Sequence, residues 1–159
     1  MGGAAPRLLR DDAGAAFIEF TLMAPFLLFL GLGMTEFGRF LYQYQLVLEG
    51  LRDAGRYLAR LDPNDATNQD KAANLAVTAT IDGTGEARVD GWVAEDVGFS
   101  VDEVANDDGS GNPLYRGAAD IEVVQVTTTF DYADVGFLSA LGFDAISVDA
   151  AHEQRVIRE

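Results

Sequence analysis

The chain has 159 residues, 26 acidic against 11 basic side chains, a formal net charge of -15, one histidine and no cysteine. Absence of cysteine excludes a disulfide framework, thiolate metal sites and a cysteine nucleophile, and one histidine gives little to a triad or a zinc site. Between Asp62 and Ala151 the only basic residues are Lys71, Arg88 and Arg116, so the surface repels phosphate and no nucleic-acid partner is expected.

Ala15 to Met34 is an apolar run whose only charge is Glu19. As a helix of 20 residues it would rise about 30 Å, enough to cross a hydrocarbon core. Arg7 and Arg10 precede it and favour a cytoplasmic N-terminus, whereas Arg39, Arg52, Arg56 and Arg60 follow it and pull the other way. No small-residue cleavage pattern follows the run, so it is expected to stay as an anchor. The small residues Ala13 to Ala16 precede it instead, where a peptidase at the cytoplasmic face would act. A carboxylate in a membrane helix is costly, so Glu19 needs a partner, a task or access to water at the membrane edge. Pro25 removes a backbone hydrogen bond and is expected to kink the helix, which membrane helices tolerate.

Phe37, Leu41, Tyr44, Leu48, Leu51, Gly55 and Leu58 recur in alternating steps of four and three. That stripe predicts one long helix continuing from the anchor into a soluble domain, with Arg39, Gln43, Gln45, Glu49, Arg52, Asp53 and Arg56 on the other face. Asp62-Pro63-Asn64 ends it. A second, short helix is predicted to Ile81, with Thr67 as N-cap and Asp70 three residues on. Alternating residues then predict antiparallel strands: Val97, Phe99 and Val101; Val124 to Tyr132; and Ile146, Val148 and Ala150 towards Val156. Val135 to Leu141 is expected to form a helical turn between the last two strands. The expected fold is α+β: a long N-terminal helix packed on a small antiparallel sheet, with a second short helix.

Gly14-Ala15-Ala16-Phe17-Ile18-Glu19-Phe20, Leu22 and Pro25 are followed by Glu36-Phe37-Gly38-Arg39 and by Arg52-Asp53-Ala54-Gly55-Arg56-Tyr57-Leu58-Ala59. Over about the first 60 residues this constellation resembles the TadE-like pseudopilins of the tight-adherence (Tad/Flp) type IV pilus system. Phe20 stands where the Tad major pilin usually has Tyr. The resemblance implies a pilin-like fold and a minor subunit that supports pilus assembly and adhesion. It implies a leader over 1–14, a transmembrane helix over 15–35 and an exported domain over 36–159, periplasmic or extracellular. Gly14 would precede the bond cut by a prepilin peptidase, Ala15 would be the mature N-terminus, Phe20 would belong to the peptidase's recognition site, and Glu19 would act in subunit docking. The implied partners are that peptidase, other pilins or pseudopilins, the Tad membrane platform and membrane lipid, with no cofactor and no catalytic residue. The alternative is an uncleaved single-pass protein whose exported domain binds a ligand or a surface.

Asn106, Asp108, Ser110 and Asn112 place oxygen side chains at alternate positions, as a calcium loop does, with Gly111 at the loop's glycine position. The twelfth position is Gly117, where a bidentate glutamate is needed, and the same residues read equally as a polar hairpin loop. The acid pairs Glu95–Asp96 and Asp131–Asp134, and His152, are the remaining candidates for acid–base chemistry. In so acidic a chain, pairs arise by chance.

Overall fold

A computed structural model describes residues 12–116, 119–143 and 145–157. The chain divides into two units, Met1–Gly38 and Arg39–Glu159. Helix α1, Asp12–Leu58, runs unbroken through both. Then follow α2 (Ala66–Thr78), β1 (Val97–Ala105), β2 (Asp120–Tyr132), α3 (Phe137–Ala140) and β3 (Ile146–Arg155). This is the α+β arrangement expected from the sequence.

In the first unit the helix is apolar on every side, and its large side chains are exposed, Phe17, Leu22, Phe26 and Leu28 among them. Its mean hydropathy reaches 2.0 over 18 residues, so it is long and apolar enough to cross a membrane. The two threonines turn their hydroxyls back onto the helix: Thr21 donates to the Phe17 carbonyl at 2.8 Å and Thr35 to the Gly31 carbonyl at 2.9 Å. Neither hydroxyl then needs water. The chain is helical on both sides of Pro25.

In the second unit α1, α2 and the sheet enclose one core. Val47, Leu51, Ala54 and Leu58 of α1 meet Ala72, Ala76 and Val77 of α2 and Val124, Val126 and Phe130 of β2. The inward face of α1 agrees with the predicted stripe at Leu51, Gly55 and Leu58, which are buried, and differs from it nearer the membrane-length segment. Phe37 and Leu41 are exposed, whereas Gln43, Val47, Gly50 and Ala54 are buried. Small residues set the line of closest approach, and large apolar residues such as Tyr44 and Leu48 flank it, partly buried. A Cβ on Gly50 would lie 2.3 Å from the Ala76 carbonyl oxygen, and one on Gly55 would lie 3.1 Å from the His152 ring. Thus α1 touches α2 at one glycine and β3 at the other.

Helix α2 begins two residues earlier than expected and ends sooner. Its N-cap is Asp65, whose carboxylate accepts the Thr67 amide at 2.8 Å. Thr67 is therefore inside the first turn. The preceding turn sets this start: Asp65 has extended backbone there, and Pro63 is buried beneath it. The helix stops at Ala79, which is left-handed with φ of 60°.

The sheet has the order β1-β2-β3, antiparallel throughout. Val124, Val126, Thr128, Phe130 and Tyr132 of β2 are buried, as period two requires. Their register partners include Val97, Phe99, Ala150 and Val148. The other face carries polar rungs, Thr129 to Asp149 at 2.7 Å and Ser147 to Asp131 at 2.5 Å. Trp92, 1% exposed, fills the space between α1, α2 and the sheet. Its indole donates to the Thr128 hydroxyl at 2.9 Å, which donates to the Asp96 carbonyl at 2.9 Å. A buried indole N–H needs an acceptor, and the threonine in the middle of an apolar strand supplies it.

Candidate assembly segment and surface sites

Gly14, Ala15, Glu19 and Phe20 all lie in the first turns of α1 and are exposed. The Gly14–Ala15 bond is within the helix. Ala15 and Glu19 are four residues apart, so they share a face and are separated by about 6 Å along the axis. Met23 continues that face. The leader residues up to Asp11 lie outside the described residues. Within Glu36-Phe37-Gly38-Arg39, Glu36 is buried while Phe37 and Arg39 are exposed.

The loop after β1 is a closed polar hairpin. Asn106 is buried at 3% exposure, and its carboxamide holds Tyr115 at both ends: Nδ2 donates to the carbonyl at 2.8 Å and Oδ1 accepts the amide at 2.9 Å. Asp108 accepts the Ser110 amide at 2.8 Å and the Asn112 side-chain amide at 3.0 Å. The Asn112 carboxamide, followed by backbone amides of Ser110 and Asn112, holds the Asp108 carboxyl below the usual aspartate range. Asn106 thus points at the Tyr115 backbone, and Asp108 at Ser110 and Asn112. Gly117 lies outside the described residues. Among the described residues no group of three or more His, Asp or Glu could hold a metal ion.

The acid pairs are separately engaged. Asp131 accepts the Ser147 hydroxyl, and Asp134 accepts the amides of Gly136 and Ser139 at 3.1 and 3.0 Å. Asp134 thereby fixes the short helix α3, and chiefly the Ser139 amide holds its carboxyl low. Asp96 accepts the Val93 amide at 3.3 Å, and His152 lies half-buried over Gly55.

Three residues with structural weight had little signal in the sequence. Gln43 sits in the helix's inward face with its Oε1 buried and unpaired. Trp92 lies in a segment without periodicity. Arg88 stood out only as a rare base in an acidic stretch, and it is tied to Asp53 of α1 at 2.6 Å.

Open depressions mark the surface of the second unit, among them the following. A cleft of about 490 Å³ lies where β2 ends and β3 begins, with Asp90, Asp131 and Asp134 beside Tyr132, Leu138 and Phe143. A groove of about 620 Å³ lies at the end of α1, lined by Arg56, Arg60, Tyr57, Leu61, Leu75 and Asp53.

The geometry defines a small α+β domain continuous with a helix fit to cross a membrane. Residues 14–56 match the family model of TadE-like proteins, roughly a quarter of the chain. Over that segment, which is most of α1, the chain is similar to TadE-like proteins. Neither a curated protein nor a solved structure matches it.

Proposed function

We propose that this chain is a minor pilin-like subunit of a Tad-type pilus system, held in the cytoplasmic membrane by residues 15–35 with its C-terminal domain outside. A prepilin peptidase cuts after Gly14, and Ala15 becomes the mature N-terminus. The observation that carries this reading is the Gly14–Phe20 motif at the start of an exposed, apolar helix, inside the segment that matches TadE-like proteins. Cleavage would place a new ammonium about one helical turn from the Glu19 carboxylate, or beside that of a neighbouring subunit, and offset the cost of a buried charge. Pro25 would bend the anchor between subunits. The partners are then other pilin-like subunits and the membrane platform, met through helix–helix packing.

The test is N-terminal sequencing and intact mass of the protein taken from membranes, with and without the prepilin peptidase. The expected start is Ala15, only when the peptidase is present. A retained leader in peptidase-positive cells would remove the pilin-like reading and leave an uncleaved, anchored binding domain.

A further inference from the structure

The connection from Tyr132 of β2 to Ile146 of β3 turns large apolar side chains outward. Val135, Leu141 and Phe143 are 52%, 48% and 58% exposed. Its backbone, by contrast, is closed on itself. The amides of Ala140, Leu141, Gly142 and Phe143 donate to the carbonyls of Gly136, Leu138, Ser139 and Leu138 at 3.0–3.1 Å. Asp134 turns its carboxylate onto the amides of Gly136 and Ser139, and Asp131 accepts the Ser147 hydroxyl. A loop bonded in this way can bring its side chains out of water without leaving backbone groups unpaired. An apolar tip is also out of place on a solvated acidic surface.

The connection starts close to the point where α1 enters the second unit. The Tyr132 ring packs edge-on against Phe40 at 5.4 Å. Phe40 follows Met34, the end of the apolar run, by six residues of unbroken helix. Six helical residues rise about 9 Å, and the headgroup layer on each face of a bilayer is about 5–7 Å deep. Tyr42, two residues further on, is 65% exposed, and the water interface is where membrane proteins gather tyrosines. The β1–β2 hairpin leaves the other end of β2. That strand has 13 residues and is about 40 Å long. Leu114 of the hairpin is 59% exposed and has no such closeness to the apolar run.

We propose that Leu141 and Phe143 dock on the surface of the bilayer that the apolar helix crosses. The occupant is lipid and not a second copy, because copies with a net charge of -15 repel one another, whereas an uncharged lipid surface does not. Asp90 shares the cleft with Phe143, and Asp144 follows it in sequence. The contact is therefore shallow: the two apolar side chains enter the headgroup layer and the carboxylates stay in water. Docking gives the domain a second hold beside the helix and limits its rotation about the helix axis. This inference rests on the membrane anchoring proposed above and is independent of cleavage at Gly14.

The chain has no cysteine, so single introduced thiols can carry nitroxide labels. Full-length chains with Leu141→Cys, Leu114→Cys or Leu27→Cys are reconstituted in phosphatidylcholine vesicles. Access of oxygen, which concentrates in lipid, is compared with access of a nickel chelate, which stays in water. The label at position 27 reports the anchor. With that label in lipid, the oxygen-to-nickel ratio at position 141 should exceed the ratio at position 114 at least threefold. Phe143→Ser added to the Leu141→Cys chain should lower it at least twofold with Tm unchanged, because Phe143 is exposed. Equal ratios at 141 and 114, with position 27 in lipid, would overturn the docking and leave the anchor standing. A label at 141 shielded from both probes would mean contact with a second copy and would overturn it as well. A ratio unmoved by Phe143→Ser would remove Phe143 from the contact and sink the proposal as stated. A label at 27 open to the nickel chelate would overturn the anchoring and this inference together.

Discussion

The Arg88 guanidinium, 13% exposed, meets the Asp53 carboxylate at 2.6 Å across 35 residues of sequence. It ties the loop after α2 to the C-terminal part of α1. Its second terminal nitrogen lies 3.8 Å from Glu49, and its Nε is buried without an acceptor. A charge this sheltered needs its partner, because an orphaned buried donor costs more than a lost surface pair gains. Asp53→Ala should therefore destabilise the domain by about 2 kcal/mol, and Arg88→Met, which removes the charge but keeps the stem, by less. Urea unfolding of the two variants checks the order. Equal stability of Asp53→Ala and the unsubstituted chain would show that the pair is screened like an exposed one.

Two substitutions should act against their usual sign. Gly→Ala in a helix interior ordinarily stabilises by about 1 kcal/mol. At Gly50 the new Cβ would sit 2.3 Å from a backbone carbonyl and 2.9 Å from the Trp92 ring. The carbonyl cannot yield without moving α2, and the Trp92 ring is buried in the core, so Gly50→Ala should cost about 1–3 kcal/mol. Ala79 is the reverse case. Its φ of 60° is a conformation in which Cβ crowds the following carbonyl. Ala79→Gly should raise stability by about 1 kcal/mol, measured as an increase in Tm. A lower Tm for Ala79→Gly would mean that another residue conformation is available at this turn.

Asp134 should make α3 sensitive to acid. Its carboxyl is held below the ordinary range, first by the Ser139 amide. A carboxyl that binds its proton less readily folded than unfolded contributes stability fully present above its unfolded value. That contribution is lost as pH falls through the lower, folded value. The window is thus below about pH 4. The Ser139 amide proton resonance should move with this titration, with a midpoint below that of an ordinary aspartate, and should not move in Asp134→Ala. A midpoint at the ordinary value would refute the capping account.

On the pilin-like reading, substitution of Glu19 should separate processing from assembly. If its carboxylate serves docking, Glu19→Ala should still be cut after Gly14 but should fail to support piliation. Glu19→Gln, which keeps shape and loses charge, should fail as well. The checks are the N-terminal residue and a count of pili by electron microscopy. Normal piliation in both variants would take Glu19 out of the mechanism.

Local rules were enough for much of this protein. The apolar run, the length of α1 and the three strands follow from periodicities that any one segment displays by itself, since a helix or strand buries a face whose spacing is written in sequence. The Gly14–Phe20 motif is also contiguous and so was legible, as was the match of the α1 segment to TadE-like proteins. The helix's inward face was legible in part, since Leu51, Gly55 and Leu58 of the predicted stripe are buried. Hydrophobic spacing also favoured Phe37 and Leu41, which are exposed, and missed Gly50 and Ala54, where close packing of α1 on α2 requires small residues. The Arg88–Asp53 pair, the Trp92–Thr128 hydrogen bond and the Asn106 clamp depend on which partner comes within about 3 Å. Sequence alone thus determined the elements and the apolar run long enough to cross a membrane. Tertiary packing decided which faces meet and which charges pair, because both depend on where distant segments return.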